Sequence, residues 1–148
     1  MDTSKYYTPD ITDVRVGYDC EHTSCSGAFD IDNTDDIIKD KLTVDDVRRY
    51  LRYYNTDGLE NYIRTKYLDK SDIEECGWHW DADKGYGQKF YKEIDGKYLI
   101  LYTEWGDTNI SIVEYKKGLE PVAYITMFDG QCPSINELKI IQKLLRIN

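Results

Sequence analysis

Every cysteine and histidine of the chain falls in one of three places: Cys20-x-His22-x-x-Cys25, Cys76-x-x-His79, and Cys132. Zinc prefers thiolate and imidazole ligands in sets of four, and Cys20, Cys25, Cys76 and His79 would supply such a set if their segments met. The same residues admit a nucleophilic reading, with Cys25 or Cys76 as thiolate and His22 or His79 as base. No third group that would orient the base can be named, and free cysteine is commonly a small buried hydrophobe. A chain of 148 residues also buries roughly 68–70% of the surface its unfolded form exposes, enough to fold without a metal. The expectation is therefore no cofactor, with zinc as the alternative.

A second constellation is acidic. The run Asp30-Ile31-Asp32-Asn33-Thr34-Asp35-Asp36 has the carboxylate density of a calcium loop, yet Asp35 and Lys41 stand where an EF-hand needs Gly and Glu. It reads as solvated surface, and Asp30, Asp32, Asp35 and Asp36 become candidates for docking on a basic protein, because complementary fields steer association. Gly85-Tyr86-Gly87 lacks the helix and the Gly-Lys-Ser/Thr ending of a phosphate loop. Glu74 and Glu75 are adjacent on an expected helix, where neighbouring side chains diverge and cannot flank one bond. The third constellation is aromatic: Trp78, Trp80 and Trp105 gather with Tyr86, Tyr91, Tyr98 and Tyr102 in the second half of the chain. A small sheet core absorbs about half of them, and the rest must meet solvent, where Tyr and Trp supply contact area for a partner. Trp78, Trp80, Trp105 and Tyr86 are the candidates for that role.

Composition narrows the partner. With 19 Lys and Arg against 28 Asp and Glu, the net charge is −9, which repels nucleic acid and anionic lipid alike. No stretch approaches the ~20 consecutive apolar residues of a membrane-spanning helix. The opening residues Met1–Tyr7 carry no basic region followed by an apolar one. Four cysteines without such a signal fit a reducing compartment. A protein partner in a reducing, cytoplasm-like compartment is the expectation, with no nucleic acid, no membrane and the oligomeric state left open.

These groups need elements to hold them. Near-alternate polar and apolar residues predict a strand near 13–21, followed by an exposed connection over 28–42. Thr43 with Asp46 opens a capping box, and Val44, Val47, Tyr50, Leu51 and Tyr54 recur at helical spacing, predicting a helix over 44–54. Residues 62–68 favour a strand, Asp69 or Ser71 caps a short helical turn that stops at Gly77, and Trp78-His79-Trp80 leaves it extended. Four further strands, over 89–94, 97–103, 108–115 and 121–128, form a meander whose strongest turn is Asp95-Gly96. Ser134 and Glu137 then box a last helix with Leu138, Ile141, Leu144 and Leu145 as its apolar stripe. The predicted fold is one α+β domain over 1–148: a twisted antiparallel meander covered by the C-terminal helix, with an acidic and helical insertion over 22–60.

Two stretches carry a resemblance. Tyr67-Leu68-Asp69-Lys70-Ser71-Asp72-Ile73-Glu74-Glu75-Cys76-Gly77-Trp78, and Phe128-Asp129-Gly130-Gln131-Cys132-Pro133-Ser134-Ile135-Asn136-Glu137-Leu138-Lys139 through Leu145, resemble small proteins of Bacteroidetes and of their phages, the crAss-like phages included. The strand Val16–Glu21 and the segment Ile63–Asp69 match the same pattern, so that the resemblance spans residues 14–21 and most of 62–148. It implies a phage or gut-bacterial origin and an intracellular place of action, and transfers no catalytic residue. With the acidic, aromatic-rich composition it leads to the expectation of a phage-encoded binding protein without enzymatic activity, for example an inhibitor of a host protein or defence system. A zinc-containing or small-ligand-binding domain built on the Cys/His residues is one alternative. A minor virion component is another.

Overall fold

The structure is a computed structural model and describes residues 5–23, 37–54, 58–60, 62–104, 107–116 and 123–148. It is α+β, as the sequence predicts, with two antiparallel sheets that do not close into a barrel. The chain groups into two compact units, 1–67 and 68–148, each with its own cluster of buried side chains.

The N-terminal unit contains β1 (Tyr6–Tyr7), β2 (Asp19–Thr23), β3 (Ile37–Lys41), α1 (Val44–Tyr54) and β4 (Ile63–Lys66), in sheet order β1-β4-β2-β3. The strand predicted near 13–21 starts only at Asp19, because the preceding backbone turns at Gly17 (φ +83°); Val14 and Tyr18 reach the core from that turn. The connection predicted over 28–42 contains β3, paired along its whole length with β2. Lys39, Asp40 and Lys41 hide this strand, since an edge strand exposed on both faces shows no apolar alternation. Helix α1 has its predicted bounds, and its box is formed: the Thr43 N–H donates to Asp46 Oδ2 at 2.9 Å, and the Asp46 N–H to Thr43 Oγ1 at 3.3 Å. Its predicted apolar stripe is only partly used, because Tyr50 is fully buried and Val47 half-buried while Val44, Leu51 and Tyr54 stay exposed. Residues 22–60 thus bring β3 and α1 to this unit, and Leu42, Tyr50 and Leu59 to its core.

The C-terminal unit runs α2 (Lys70–Glu75), β5 (His79–Lys84), β6 (Gly87–Ile94), β7 (Lys97–Glu104), β8 (Asn109–Lys116), β9 (Ala123–Gln131) and α3 (Ile135–Leu145). Its strands form a meander in chain order. Asp95 (φ 50°) and Gly96 (φ 74°) make the two-residue turn between β6 and β7, both in the left-handed region that a type I′ turn requires. Gly87 is fixed by close approach: a Cβ there would stand 1.6 Å from the Thr103 carbonyl oxygen. Asp69 caps α2 by accepting from the Asp72 N–H at 3.0 Å, and Gly77 (φ +83°) ends it. Ser134 caps α3 by accepting from the Asn136 N–H at 3.2 Å while its hydroxyl bonds the Glu137 carboxylate.

Alternation assigns the two faces of the meander. Phe90, Leu99, Leu101, Ile110 and Ile112 share one face and are buried with Ile73 of α2 and with Leu138 and Ile141 of α3. Each fully buried leucine here contributes about 1.5–3 kcal/mol. Gln142 takes a core position on α3, accepting from Trp78 Nε1 at 3.4 Å and donating to the Cys76 carbonyl at 3.2 Å. Leu144, predicted in the stripe, points outward and is 75% exposed. Both helices lie on this one face, so within the described residues of the unit the opposite face has no helix of its own.

Candidate functional site

That opposite face is built from the residues that alternate with the core. His79 on β5 is paired with Tyr91 on β6, Tyr98 on β7 with Tyr115 on β8, and Tyr115 with Tyr124 on β9. Tyr91 and Tyr98 are diagonal neighbours, because Tyr91 is paired with Ile100, two residues along. The rings touch in sequence across all five strands. Centroids are 5.3 Å apart for His79–Tyr91, 5.9 Å for the near-parallel Tyr91–Tyr98 pair, 6.0 Å for Tyr98–Tyr115 and 5.5 Å for Tyr115–Tyr124. Ile100 and Val113 sit between these rings and are only 4% and 8% exposed, although they face away from both helices. Tyr102 lies one pair further along, opposite Lys89 and Ser111, and Lys89 is bound to Asp81 at 2.8 Å. Glu93 stands exposed opposite Tyr98.

The chemistry of this face is that of half-desolvated phenols. Burial among neighbouring rings pushes the hydroxyls of Tyr98 and Tyr102 above the usual 10.0. The hydrogen bond to Asp81 likewise raises the Lys89 ammonium. None of the hydroxyls of Tyr91, Tyr98, Tyr102, Tyr115 and Tyr124 has a hydrogen-bond partner among the described residues, which leaves their donors and acceptors unused there. Flat apolar rings with unspent polar tips are suited to contact another macromolecule.

The residues predicted from sequence are distributed differently. Trp78, expected at a contact surface, is 1% exposed in the core, because its indole N–H is met by Gln142 under α3. Trp80 is partly exposed, with the Lys70 ammonium 4.0 Å over its ring, and Tyr86 is exposed in the β5–β6 turn. Trp105, Asp30, Asp32, Asp35, Asp36 and Cys25 lie outside the described residues. Tyr115 and Tyr124 carry no local signal in the sequence: the Asp95-Gly96 turn fixes only β6 against β7, and their place beside Tyr98 needs the β7–β8 and β8–β9 registers as well.

The Cys/His residues are committed elsewhere. Cys20 lies on β2 in the N-terminal unit, while Cys76 ends α2 and His79 begins β5 in the other; the His79 ring packs on Tyr91. Among the described residues no three His, Cys, Asp or Glu side chains group as metal ligands. Burial pushes the Cys20 thiol up to about 12 and raises Cys76 and Cys132 as well, so all three are thiols at neutral pH. His22 is buried with its Nδ1 2.9 Å from the Tyr50 hydroxyl. That hydroxyl donates to the Thr23 carbonyl at 3.2 Å and accepts from Arg49 Nη2 at 2.9 Å, which leaves the histidine Nδ1–H as donor. Burial holds the imidazole below its ordinary 6.5 and so neutral.

No family model matches this sequence, and no curated protein or solved structure matches it either. Among the described residues no helix is long and apolar enough to cross a membrane.

Proposed function

We propose that the protein is a phage-encoded binding protein without enzymatic activity, which engages a host protein through the tyrosine face of its C-terminal sheet and inhibits it in the bacterial cytoplasm. The observation that carries this reading is the unbroken row of rings from His79 to Tyr124, whose tyrosine hydroxyls have no partner among the described residues. Tyr-rich patches concentrate binding energy at protein interfaces, because each ring offers large area at low entropic cost and its hydroxyl keeps the free surface wet. The net charge of −9 supports a basic partner and disfavours nucleic acid, whose bases would otherwise stack on such a face. Resemblance to the Bacteroidetes and crAss-like phage proteins supports the setting.

The test is affinity capture from lysate of a gut Bacteroidetes host, with wild-type bait beside a Tyr98→Ser/Tyr115→Ser bait shown to be folded. A protein held in stoichiometric amount by the first bait, released by salt and absent from the second, is the expected result. Identical retained sets on both baits would refute the reading, as would unchanged phage sensitivity in a host expressing the protein.

A further inference from the structure

The two sheets have four edges, and three of them are protected. β1 is two residues long, and β3 carries Lys39, Asp40 and Lys41. β5 is broken by an irregularity between Trp80 and Ala82 and carries Asp81, Asp83 and Lys84. Such short length, charge and bulging are the usual devices that keep sheet edges from pairing with other chains. β9 has none of them before its irregularity at Met127. Residues 123–128, Ala-Tyr-Ile-Thr-Met-Phe, contain no charge, proline or glycine. Tyr124 and Ile125 are 55% and 49% exposed, and among the described residues β9 is bonded to β8 alone. An uncharged run of this composition on an open edge is a template for another strand.

We propose that this edge pairs with the β9 edge of a second copy of the chain, giving a two-fold dimer with a continuous ten-stranded sheet. Self-complementarity points to the second copy. Antiparallel pairing centred on Ile125 sets Ile125 against its own counterpart and Tyr124 against Thr126 of the other copy. Tyr124 and Thr126 lie on the same face, opposite Tyr115 and Val113, so the register keeps like faces together. The pairing ends where Met127 is the extra residue opposite Ile112 and Val113. Asp129, the single charge on β9, stays outside it. The row of rings ends at Tyr124, so joining the two edges would extend it from one copy into the next. Because β5 is protected, association stops at two copies and does not propagate into a filament.

The dimer does not depend on the tyrosine-face reading, and salt separates the two. Two copies at −9 each repel, so added salt strengthens self-association, whereas it weakens attraction to a basic partner. The experiment is sedimentation of the full chain across concentration and salt, with Ile125→Lys beside wild type. Wild type is expected to dimerise. Ile125→Lys places a lysine against its own copy across the axis and is expected to weaken dimerisation on the order of tenfold or more. Hydrogen exchange on wild type guards against a misfolded variant: amides of residues 123–127 are expected to slow as the dimer fills. A monomer at every concentration overturns the proposal, as does a dimer that Ile125→Lys leaves intact. Protection of β9 that appears only with an added host protein also overturns it and assigns the edge to that partner.

Discussion

The two units use tyrosine in opposite ways. In the N-terminal unit Tyr18, Tyr50 and Tyr62 are buried, and the hydroxyls of the first two are bonded inside the fold: Tyr50 to His22, Arg49 and Thr23, Tyr18 to Thr65 and Tyr7. Glu21 is held in the same manner by Arg64 at 2.6 Å, Lys39 at 3.0 Å and the Tyr6 hydroxyl at 3.1 Å. In the C-terminal unit the buried core is aliphatic apart from Trp78, Phe90 and Cys132, and the tyrosines line the sheet face opposite the unit's helices with their hydroxyls unpaired among the described residues. A buried polar group without a partner costs about 1–3 kcal/mol, so the first arrangement makes each hydroxyl part of the unit's stability. The second leaves the hydroxyls out of that account and, under the proposed function, available to a partner.

Substitutions separate these roles. The largest effect is expected at Tyr50→Ala, which removes a fully buried ring and strands its three polar neighbours; a loss of about 3–5 kcal/mol or more should appear in chemical denaturation. Tyr50→Phe keeps the ring and deletes only the hydroxyl, for an expected loss of about 1–3 kcal/mol.

Acid probes the same network. Because burial depresses the folded pKa of His22, the unfolded chain takes up its proton first as pH falls below 6.5. The stability His22 contributes is fully present above that value and drains away below it, as pH drops toward the folded pKa. Hydrogen exchange in the N-terminal unit measured across this range should show the slope, and His22→Gln should flatten it. Alkali probes the other unit with the opposite sign. The raised pKa values of Tyr98 and Tyr102 confer stability present below pH 10.0 and lost as pH rises through the folded values. Burial raises Tyr6 and Tyr50 as well, so phenolate absorbance should contain a late phase that is reduced, and not abolished, in Tyr98→Phe/Tyr102→Phe.

The smallest effect on stability is expected at Tyr98→Phe and Tyr115→Phe, within about 0.5 kcal/mol of wild type, since neither hydroxyl has a partner among the described residues to lose. The same pair should nevertheless weaken retention of the host protein. A loss of stability there as large as that of Tyr50→Phe would erase the distinction between the units.

Much of this fold is legible in the sequence wherever local chemistry decides the outcome. Thr43 with Asp46, Asp69 before Gly77, Asp95-Gly96 and Ser134 mark their helices and turn because caps and left-handed positions are set by neighbours in the chain. Long-range choices are less legible. Nothing in Lys39-Asp40-Lys41 announces a strand, because β2 alone supplies its pairing. Trp78 is buried by Gln142, 64 residues away. The aromatic row depends on four successive registers, so Tyr124 joins His79 only once every strand between them has been placed.

The most direct test of the central claim is tyrosine-selective labelling of the protein in buffer and in host lysate, read residue by residue by mass spectrometry. The expected result is that Tyr91, Tyr98, Tyr102, Tyr115 and Tyr124 label in buffer and are shielded in lysate, while Tyr18 and Tyr50 stay unlabelled in both. Equal labelling of the face in buffer and in lysate, with protection falling elsewhere or nowhere, would contradict it.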